Sequence, residues 1–267
     1  MRGLLREMLR LTERRQAFVV CTVVETDGSV PGKLGSTMVV KADGSTRGTV
    51  GGAGLEEKVK AAALDALRTG KGGLRHFDLA KWKPGGLNSI CGGTVDVSVV
   101  VHRPLPHLLL FGGGHCGKAL ADIAPTLDWD VTVVDARPEY ANKERFPDAV
   151  AAIAASPAAW VKGADLADYS HAYLLGHSWE IDVEILAALL SRFDGFVGAI
   201  GSAAKRHSIE AELRKRGVPD RHLARLVCPI GADVGAESPE EIAVAVAAEV
   251  VSTLKKAPRP VPEATAR

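Results

Sequence analysis

The sequence of 267 residues predicts an α/β protein in which a C-terminal Rossmann-type domain with a parallel sheet follows a smaller mixed α+β N-terminal domain. Three observations predict this fold class. Short apolar runs alternate with helical patterns in the C-terminal half, as in a parallel sheet covered by helices. A glycine-rich turn follows the first of these runs and opens a helix. The N-terminal half instead has β-rich segments separated by clusters of Gly and Pro.

The N-terminal half contains the elements of a small α+β domain. Its first helix carries a stripe of leucines, and the next segment is rich in β-branched residues. Asp43-Gly44 predicts a hairpin, since Asp-Gly tolerates the positive φ of tight turns. The predicted elements, in chain order, are a helix at 3–15, strands at 17–26, 37–41 and 46–50, a helix at 55–69 that stops at Gly70, and strands at 74–78 and 94–101.

The segment His102-Arg103-Pro104-Leu105-Pro106 is the best candidate for a linker. Two prolines in three residues stop both a helix and a strand ladder. We therefore expect an N-terminal domain at 1–103 and a Rossmann-type domain at 104–267.

The C-terminal half predicts six buried strands and four helices. The last helix begins with a capping box formed by Ser238 and Glu241, with Pro239 at its first position. The strands are predicted at 108–111, 131–135, 149–153, 172–175, 196–200 and 226–229, and the helices at 118–127, 182–191, 203–217 and 239–254.

The composition is that of an ordinary soluble globular protein, with 46% hydrophobic residues, 24% charged residues and a net charge of +1. Because sequence-independent binding to the phosphate backbone of a nucleic acid requires a clear excess of basic residues, we expect no nucleic-acid partner. No apolar stretch is long enough to span a bilayer, and no signal peptide is recognisable, so we expect no membrane association and a cytoplasmic location. The four cysteines form no C-x-x-C pair, so we expect no metal site and no disulfide framework.

The main candidate site is the turn Gly112-Gly113-Gly114-His115-Cys116-Gly117, which follows a strand directly and opens a helix. In such a turn the first glycine allows the tight bend, the second lets the backbone approach a pyrophosphate, and the third lets helix and strand pack closely. The helix N-terminus then faces the anion. The alternative is a turn that only packs a βαβ unit.

Four side chains extend this candidate site. Asp135 ends the second strand, where an acid can bind ribose hydroxyls. Arg137 is a candidate to accept a 2′-phosphate or a second phosphate group, or else is a solvated loop residue. His115 and Cys116 lie inside the turn and would either touch a bound ligand or point away from it.

A second glycine corner, Gly201-Ser202, follows the fifth predicted strand. Because Lys205 and Arg206 come next at the start of a helix, the corner predicts a second anion contact at the carboxyl edge of the sheet. A helix whose basic side chains face water explains the same residues equally well.

The sequence has neither a Tyr-x-x-x-Lys pair after the turn nor a supported Ser-His-Asp arrangement, so we name no catalytic residue. In the N-terminal half, glycine loops at 27–31 and 51–56 are candidate anion nests. Cys91 stands in a third glycine loop, at 84–93, and is the candidate functional thiol.

Taken together, the motifs resemble the XdhC/CoxI family of accessory factors for bacterial xanthine dehydrogenase and related molybdenum hydroxylases. The resemblance covers nearly the whole chain. The matching segments are Gly28-Ser29-Val30-Pro31 through Gly35, Gly51-Gly52 through Leu55-Glu56, Cys91-Gly92-Gly93, Gly112 to Gly117, Val134-Asp135-Ala136-Arg137-Pro138, Arg145-Phe146-Pro147, Ile200-Gly201-Ser202 with Lys205-Arg206, Pro229-Ile230-Gly231, and Pro239 to Ala243 with Ala248-Glu249.

The resemblance implies a chaperone rather than an enzyme with turnover. Such a protein binds molybdenum cofactor, as molybdopterin or its dinucleotide form, and holds it while a cysteine desulfurase supplies the sulfido ligand. It then inserts the cofactor into apo xanthine dehydrogenase or a related hydroxylase. The resemblance also implies self-association, with a dimer expected. Cys91 is the candidate to contact the cofactor, since thiolates are soft ligands for molybdenum.

Three positions depart from the family pattern. Gly32 stands where the family commonly has Arg, Ala53 interrupts a run of glycines, and Ala232 replaces a leucine. They bear on the contacts of the N-terminal domain rather than on the fold.

Two other functions fit the glycine turn. An NAD(P)-dependent oxidoreductase would use the turn and Asp135 for its cofactor, although a catalytic signature is missing. A nucleotide-binding sensor would bind its ligand tightly and regulate a partner without transferring a cofactor. Fold alone does not distinguish these functions.

Overall fold

The computed structural model describes residues 1–79 and 93–256, which fall into two compact units at residues 1–104 and 105–256. The predicted fold class is confirmed. The N-terminal unit contains a five-stranded antiparallel sheet, and the C-terminal unit contains a six-stranded parallel sheet with helices on both faces.

The sheet of the N-terminal unit has the strand order β3-β2-β1-β5-β4. The predicted hairpin is confirmed, since Gly44 adopts a φ of 77° and Ser45 donates its N–H to Asp43. The elements are α1 (Arg2–Glu13), β1 (Phe18–Asp27), β2 (Thr37–Lys41), β3 (Thr46–Gly48), α2 (Ala53–Thr69), β4 (Gly73–Asp78) and β5 (Thr94–His102).

Each face of this sheet is covered by one helix. Alternate residues of β1 point to opposite faces. Cys21 lies in the core beneath α2, whereas Phe18 packs with Leu4 and Leu11 of α1. The helix α2 ends at Gly70, which takes the left-handed conformation expected of a C-terminal cap.

The C-terminal unit alternates strands and helices throughout. Its elements are β6 (His107–Phe111), α3 (His115–Ile123), a 3-10 helix (Ala124–Leu127), β7 (Asp130–Asp135), a second 3-10 helix (Pro138–Tyr140), β8 (Ala151–Ala154), α4 (Pro157–Gly163), β9 (His171–Leu174), α5 (Trp179–Leu189), β10 (Phe196–Ala199), α6 (Ala203–Lys215), α7 (Asp220–Leu223), β11 (Leu226–Val227) and α8 (Pro239–Lys256).

The strand order β11-β10-β9-β6-β7-β8 identifies the position of the candidate site. The chain runs outward from β6 through β7 to β8, and then returns to the other side of β6 with β9. This reversal leaves a crevice at the carboxyl ends of β6 and β9, where ligands bind in open α/β sheets.

The parallel sheet is buried on both faces, as its apolar strands require. Leu109 and Phe111 pack on one side with Leu186 of α5. Leu108 and Leu110 pack on the other side with residues of α3 and α8, including Leu120 and Val246. The capping box at the start of α8 is confirmed, since Ser238 and Glu241 exchange two hydrogen bonds.

No helix within residues 1–79 and 93–256 combines the length and apolar character needed to cross a membrane.

Several element boundaries differ from the predictions. The short helices α4 and α7 were not predicted, because seven and four residues are too few to reveal a helical period. The strand expected at 226–229 ends at Val227, just before Cys228-Pro229, and proline has no N–H for a ladder. The helix expected from Lys118 begins at His115, directly from the glycine turn.

We predict that Gly117→Ala destabilises the C-terminal unit. A Cβ atom at Gly117 would lie 2.1 Å from the carbonyl oxygen of Gly112, so α3 would have to move away from the turn. Overpacking of this kind costs about 2 kcal/mol of unfolding free energy, which urea denaturation followed by circular dichroism measures.

The matched control for this substitution is Gly163→Ala at the end of α4, where a Cβ atom would meet nothing within 4 Å. We expect this variant to stay within about 0.5 kcal/mol of the parent. Equal denaturation midpoints for the two variants would contradict the close approach of α3 to the turn.

Candidate functional site

The glycine turn lies at the carboxyl end of β6, beside the loop that follows β9. Gly112 has a φ of 117°, in the region that favours glycine, and donates its N–H to the carbonyl of Val134. A Cβ atom on Gly112 would lie 3.2 Å from the carbonyl carbon of Leu175. The turn is therefore packed against both neighbouring strand ends at the switch point.

The glycines of the turn face different surroundings. A Cβ atom on Gly113 would lie 1.8 Å from the carbonyl oxygen of Tyr140, and one on Gly117 would lie 2.1 Å from that of Gly112. A Cβ atom on Gly114 would meet no atom of the described residues within 4 Å. Gly113 and Gly117 are thus required by packing, whereas Gly114 borders open space, where a ligand can approach the backbone.

The helix α3 begins at this open face. Gly114 is its N-cap, and its carbonyl accepts the N–H of Lys118. The N–H groups of the first turn have no carbonyl one turn earlier in the helix, and the helix dipole gives this end a partial positive charge. The geometry suits an anion.

Asp135 connects the end of β7 to the glycine turn. Its side chain is buried and accepts four hydrogen bonds, from the N–H groups of Gly113 and Arg137 at 3.0 Å each and from Nε and Nη2 of Arg137 at 2.9 Å each. Burial alone would raise the pKa of this carboxyl, but the hydrogen bonds from Arg137 and Gly113 outweigh it and hold the pKa below its usual value. Asp135 is therefore a fully bonded carboxylate at neutral pH.

Two arginines approach Tyr140 beside the turn. The guanidinium of Arg137 lies 3.9 Å from the centre of the Tyr140 ring, and that of Arg145 lies 5.2 Å from it. Arg145 also donates to the carbonyl oxygen of Gly113 at 2.9 Å and borders an open groove lined by Lys118 and Asn142. The sequence did not identify Tyr140, and Arg145 entered only through the family motif.

The two side chains within the turn differ in exposure. His115 is exposed at the start of α3, whereas Cys116 is half-buried. Burial and the negative charge of Glu240 raise the pKa of the Cys116 thiol, which is the reverse of the change that activates a thiol at a helix N-terminus. Cys116 is thus a protonated thiol at neutral pH.

The second glycine corner, Gly201-Ser202, begins α6. Gly201 has a φ of 149°, and the Ser202 hydroxyl accepts the N–H of Lys205 as an N-terminal cap. Arg206 pairs with Glu210 on the same helix at 2.7 Å. The hydroxyl of Ser202 and the guanidinium of Arg206 therefore already have protein partners.

Lys205 points inward instead of towards a ligand. Its ammonium lies 2.7 Å from a carboxylate oxygen of Asp182, 2.8 Å from the carbonyl of Ile200 and 3.3 Å from that of Gly176. Burial raises the pKa of Asp182 despite the attraction of Lys205. Lys205 thus donates two hydrogen bonds to carbonyl oxygens and forms an ion pair with Asp182, and these contacts hold together the loops that follow β9 and β10. Nothing in the sequence had singled out Asp182.

The loop after β9 contributes His177 and Ser178 to the carboxyl edge. His177 is exposed. The Ser178 hydroxyl accepts the N–H of Ile181, which caps α5, and donates to Glu180 at 2.7 Å. Ser178 thus serves helix formation, and His177 is the exposed side chain of this loop.

Glycines of the N-terminal unit bring its loops into close contact. A Cβ atom on Gly32 would lie 2.3 Å from the carbonyl oxygen of Val50, and one on Gly93 would lie 2.2 Å from that of Asp27. A side chain at Gly32 would therefore require the loop to move away from Val50. Cys91 lies outside the described residues.

No cluster of three or more His, Cys, Asp or Glu suited to a metal ion occurs in the part of the chain that the structure describes.

Comparison with known proteins places this geometry in a family. The model of the XdhC Rossmann domain matches residues 108–250, and the model of the XdhC and CoxI family matches residues 11–78. Both units thus contain matched segments.

Two curated relatives are similar over long segments. The chain is 34% identical over 253 residues to the uncharacterized protein YqeB of Escherichia coli (strain K12), covering 94% of this chain and 46% of that protein. It is 33% identical over 164 residues to a probable xanthine dehydrogenase subunit of Bacillus subtilis (strain 168), covering 61% of this chain and 47% of that protein. The chain spans about half the length of these relatives.

A solved structure of a xanthine dehydrogenase from Bacillus halodurans shares the fold, with a TM-score of 0.53 and 21% identity over 98% of this chain and 97% of that chain. The Rossmann-domain match covers more than half of the sequence. The chain belongs to the XdhC and CoxI family.

Proposed function

We propose that this chain is an accessory protein of xanthine dehydrogenase or a related molybdenum hydroxylase. In this role it binds molybdenum cofactor, holds it while a cysteine desulfurase supplies the sulfido ligand, and delivers it to the apo-enzyme, acting as a homodimer in the cytoplasm. Family membership and the Bacillus subtilis relative, which is named for xanthine dehydrogenase, support the accessory role. The observation that carries cofactor binding is the open backbone at Gly114, at the N-terminus of α3.

The residues around this opening fit the phosphate end of such a cofactor. The first turn of α3 offers N–H groups to an anion, and no side chain in the part of the chain that the structure describes lies within 4 Å of a Cβ atom built on Gly114. Arg145 adds a positive charge that is bonded to carbonyl oxygens of the turn rather than to a carboxylate. When bound, the cofactor supplies the molybdenum centre that the client hydroxylase uses. The role of this chain is to bind and orient it.

The state of Asp135 argues against an NAD-dependent oxidoreductase. In such an enzyme Asp135 would accept the hydroxyls of a ribose. Both oxygens of Asp135 already accept hydrogen bonds. Two of these bonds come from the side chain of Arg137 and are charge-assisted. A ribose would have to displace Arg137 from a buried carboxylate.

We predict that the chain purified from cells that make molybdopterin contains pterin and molybdenum, and that Gly114→Ala lowers both by about tenfold. The added methyl group meets no atom of residues 1–79 and 93–256 within 4 Å, and it occupies the space beside the α3 N-terminus. Such a reduction corresponds to about 1.4 kcal/mol of binding free energy. Pterin fluorescence and elemental analysis measure the two contents.

The control for this experiment is again Gly163→Ala, which adds the same methyl group in open space away from the turn. We expect its cofactor content to equal that of the parent. Nicotinamide in place of pterin would overturn the proposal in favour of an oxidoreductase. Nucleotide without either cofactor would overturn it in favour of a sensor.

A second prediction concerns delivery. In cells that lack this chain, we expect a client xanthine dehydrogenase to be made with little activity, and the parent chain to restore that activity. Gly114→Ala should restore at most about a tenth as much, because it holds less cofactor, while Gly163→Ala should restore it fully. Full activity of the client without the chain would contradict the accessory role.

A further inference from the structure

At the carboxyl end of β7, Arg137 is hydrogen-bonded to Asp135, the carboxylate that a ribose would need as a free acceptor. We propose that this end of the site recognises a phosphate monoester through Arg137, and that Asp135 positions Arg137 and Gly113 rather than binding ribose hydroxyls. The inference deepens the proposed function and rests on the same glycine turn. It names the chemical class of ligand that the turn accepts.

The first step is the occupancy of Asp135. A carboxylate offers about four lone-pair sites. The four donors described above, two per oxygen, take all of them. A hydroxyl group could bind only after Arg137 had left, and the buried carboxylate would then lose its charged partner.

The second step is the geometry of Arg137. Its side chain bonds Asp135 through Nε and one N–H of Nη2, so both N–H groups of Nη1 and the second one of Nη2 face away from the carboxylate. No acceptor for them is found within residues 1–79 and 93–256, and the side chain is 47% exposed. The guanidinium lies over the Tyr140 ring, and its two hydrogen bonds to Asp135 fix its orientation. A fixed planar fork with vacant donors matches phosphate oxygens.

The third step is the position of Arg137 beside the turn. Nη2 of Arg137 and the N–H of Gly113 bond to the same oxygen of Asp135, so the guanidinium adjoins the backbone that leads into Gly114. Asp135 reduces the net charge of Arg137, and the unpaired charge at the site comes from Arg145 and the α3 N-terminus. Recognition at Arg137 is thus directional rather than due to bulk charge.

This arrangement separates classes of ligand. A phosphate monoester next to the turn meets both the α3 N-terminus and the vacant donors of Arg137. A nucleotide that presents a free ribose diol at β7 meets donors where it needs acceptors. The molybdopterin form of the cofactor, which ends in a phosphate monoester, and NADP, which carries a 2′-phosphate, belong to the first class, and NAD belongs to the second. The pterin content of the purified protein distinguishes the two members of the first class.

The test uses two isomers, adenosine 2′,5′-bisphosphate, which has two phosphate monoesters, and adenosine 5′-diphosphate, which has one pyrophosphate. At the ribose, the first presents a 2′-phosphate monoester and the second a free diol. Because their 5′ ends also differ, the contribution of Arg137 is the change in the ratio of the two Kd values between the parent and Arg137→Ala. With the full chain, we expect titration calorimetry to give a Kd for the 2′,5′-isomer at least about tenfold lower, the effect of one or two charge-assisted hydrogen bonds.

Variants at the two residues distinguish their roles. Arg137→Ala should remove the preference for the 2′,5′-isomer and favour the 5′-diphosphate with its free diol, because the substitution leaves the carboxylate of Asp135 without its charged donor. Asp135→Asn should weaken binding of the 2′,5′-isomer, since Arg137 is no longer held in place. If Asp135 bound a diol instead, Asp135→Asn would weaken binding of the 5′-diphosphate. Arg221→Ala, at an exposed arginine on α7, is the matched control and should change neither Kd.

Equal affinities for the two isomers, no binding of either at millimolar concentration, or an unchanged ratio in Arg137→Ala would each overturn the inference. Its failure is separable from that of the proposed function. Pterin in the purified protein together with equal affinities for the isomers would reject only the inference. Selective binding of the 2′,5′-isomer by a protein that contains no pterin would reject only the proposed function.

Discussion

The buried carboxylate of Asp135 is the interaction on which the candidate site depends. At the end of β7, it accepts hydrogen bonds from the backbone of Gly113 in the glycine turn and from both the backbone and the guanidinium of Arg137. A buried charge is costly unless it is paired and hydrogen-bonded. The lowered pKa of Asp135 indicates that its bonds more than compensate for burial. The conformation of the turn and the orientation of Arg137 therefore depend on the same carboxylate.

A second buried carboxylate, Asp182, has a similar role on the other side of the switch point. Its partner Lys205 ties the loops after β9 and β10 to α5. The two pairs differ in electrostatics, because burial dominates at Asp182 and raises its pKa, whereas donated hydrogen bonds dominate at Asp135. Lys205 uses its N–H groups within the protein, while Arg137 retains N–H groups that face solvent. The proposed anion contact is therefore placed on the side of β7.

The sequence predicted the fold well wherever hydrophobic pattern decides it. The strands at 108–111 and 131–135 lie within one residue of β6 and β7, since fully buried strands are continuous apolar runs. The position of the turn was equally accessible, because its motif is local. The hydrogen bonds of Asp135 could not be predicted from the sequence. The spacing between Asp135 and Arg137 is compatible with a carboxylate bonded to Arg137 and with one free to bind a ligand. The Asp182–Lys205 pair joins residues on different helices, and no local pattern reports such a contact.

Glycine content alone is a poor guide to where a ligand binds. In the N-terminal unit, Gly32 and Gly93 lie where a Cβ atom would strike neighbouring carbonyl oxygens, so packing accounts for them without an anion. In the turn after β6 the same reason accounts for Gly113 and Gly117. Gly114 differs, because its allowed backbone conformation and open surroundings would accept an alanine. Openness alone does not mark a ligand site, since a Cβ atom on Gly163 would also meet nothing within 4 Å among the described residues. Gly114 differs from Gly163 in its position as the N-cap of α3 at the carboxyl end of β6, where the N-terminus of a helix favours an anion. The proposed phosphate contact therefore rests on this position in the fold together with the open backbone.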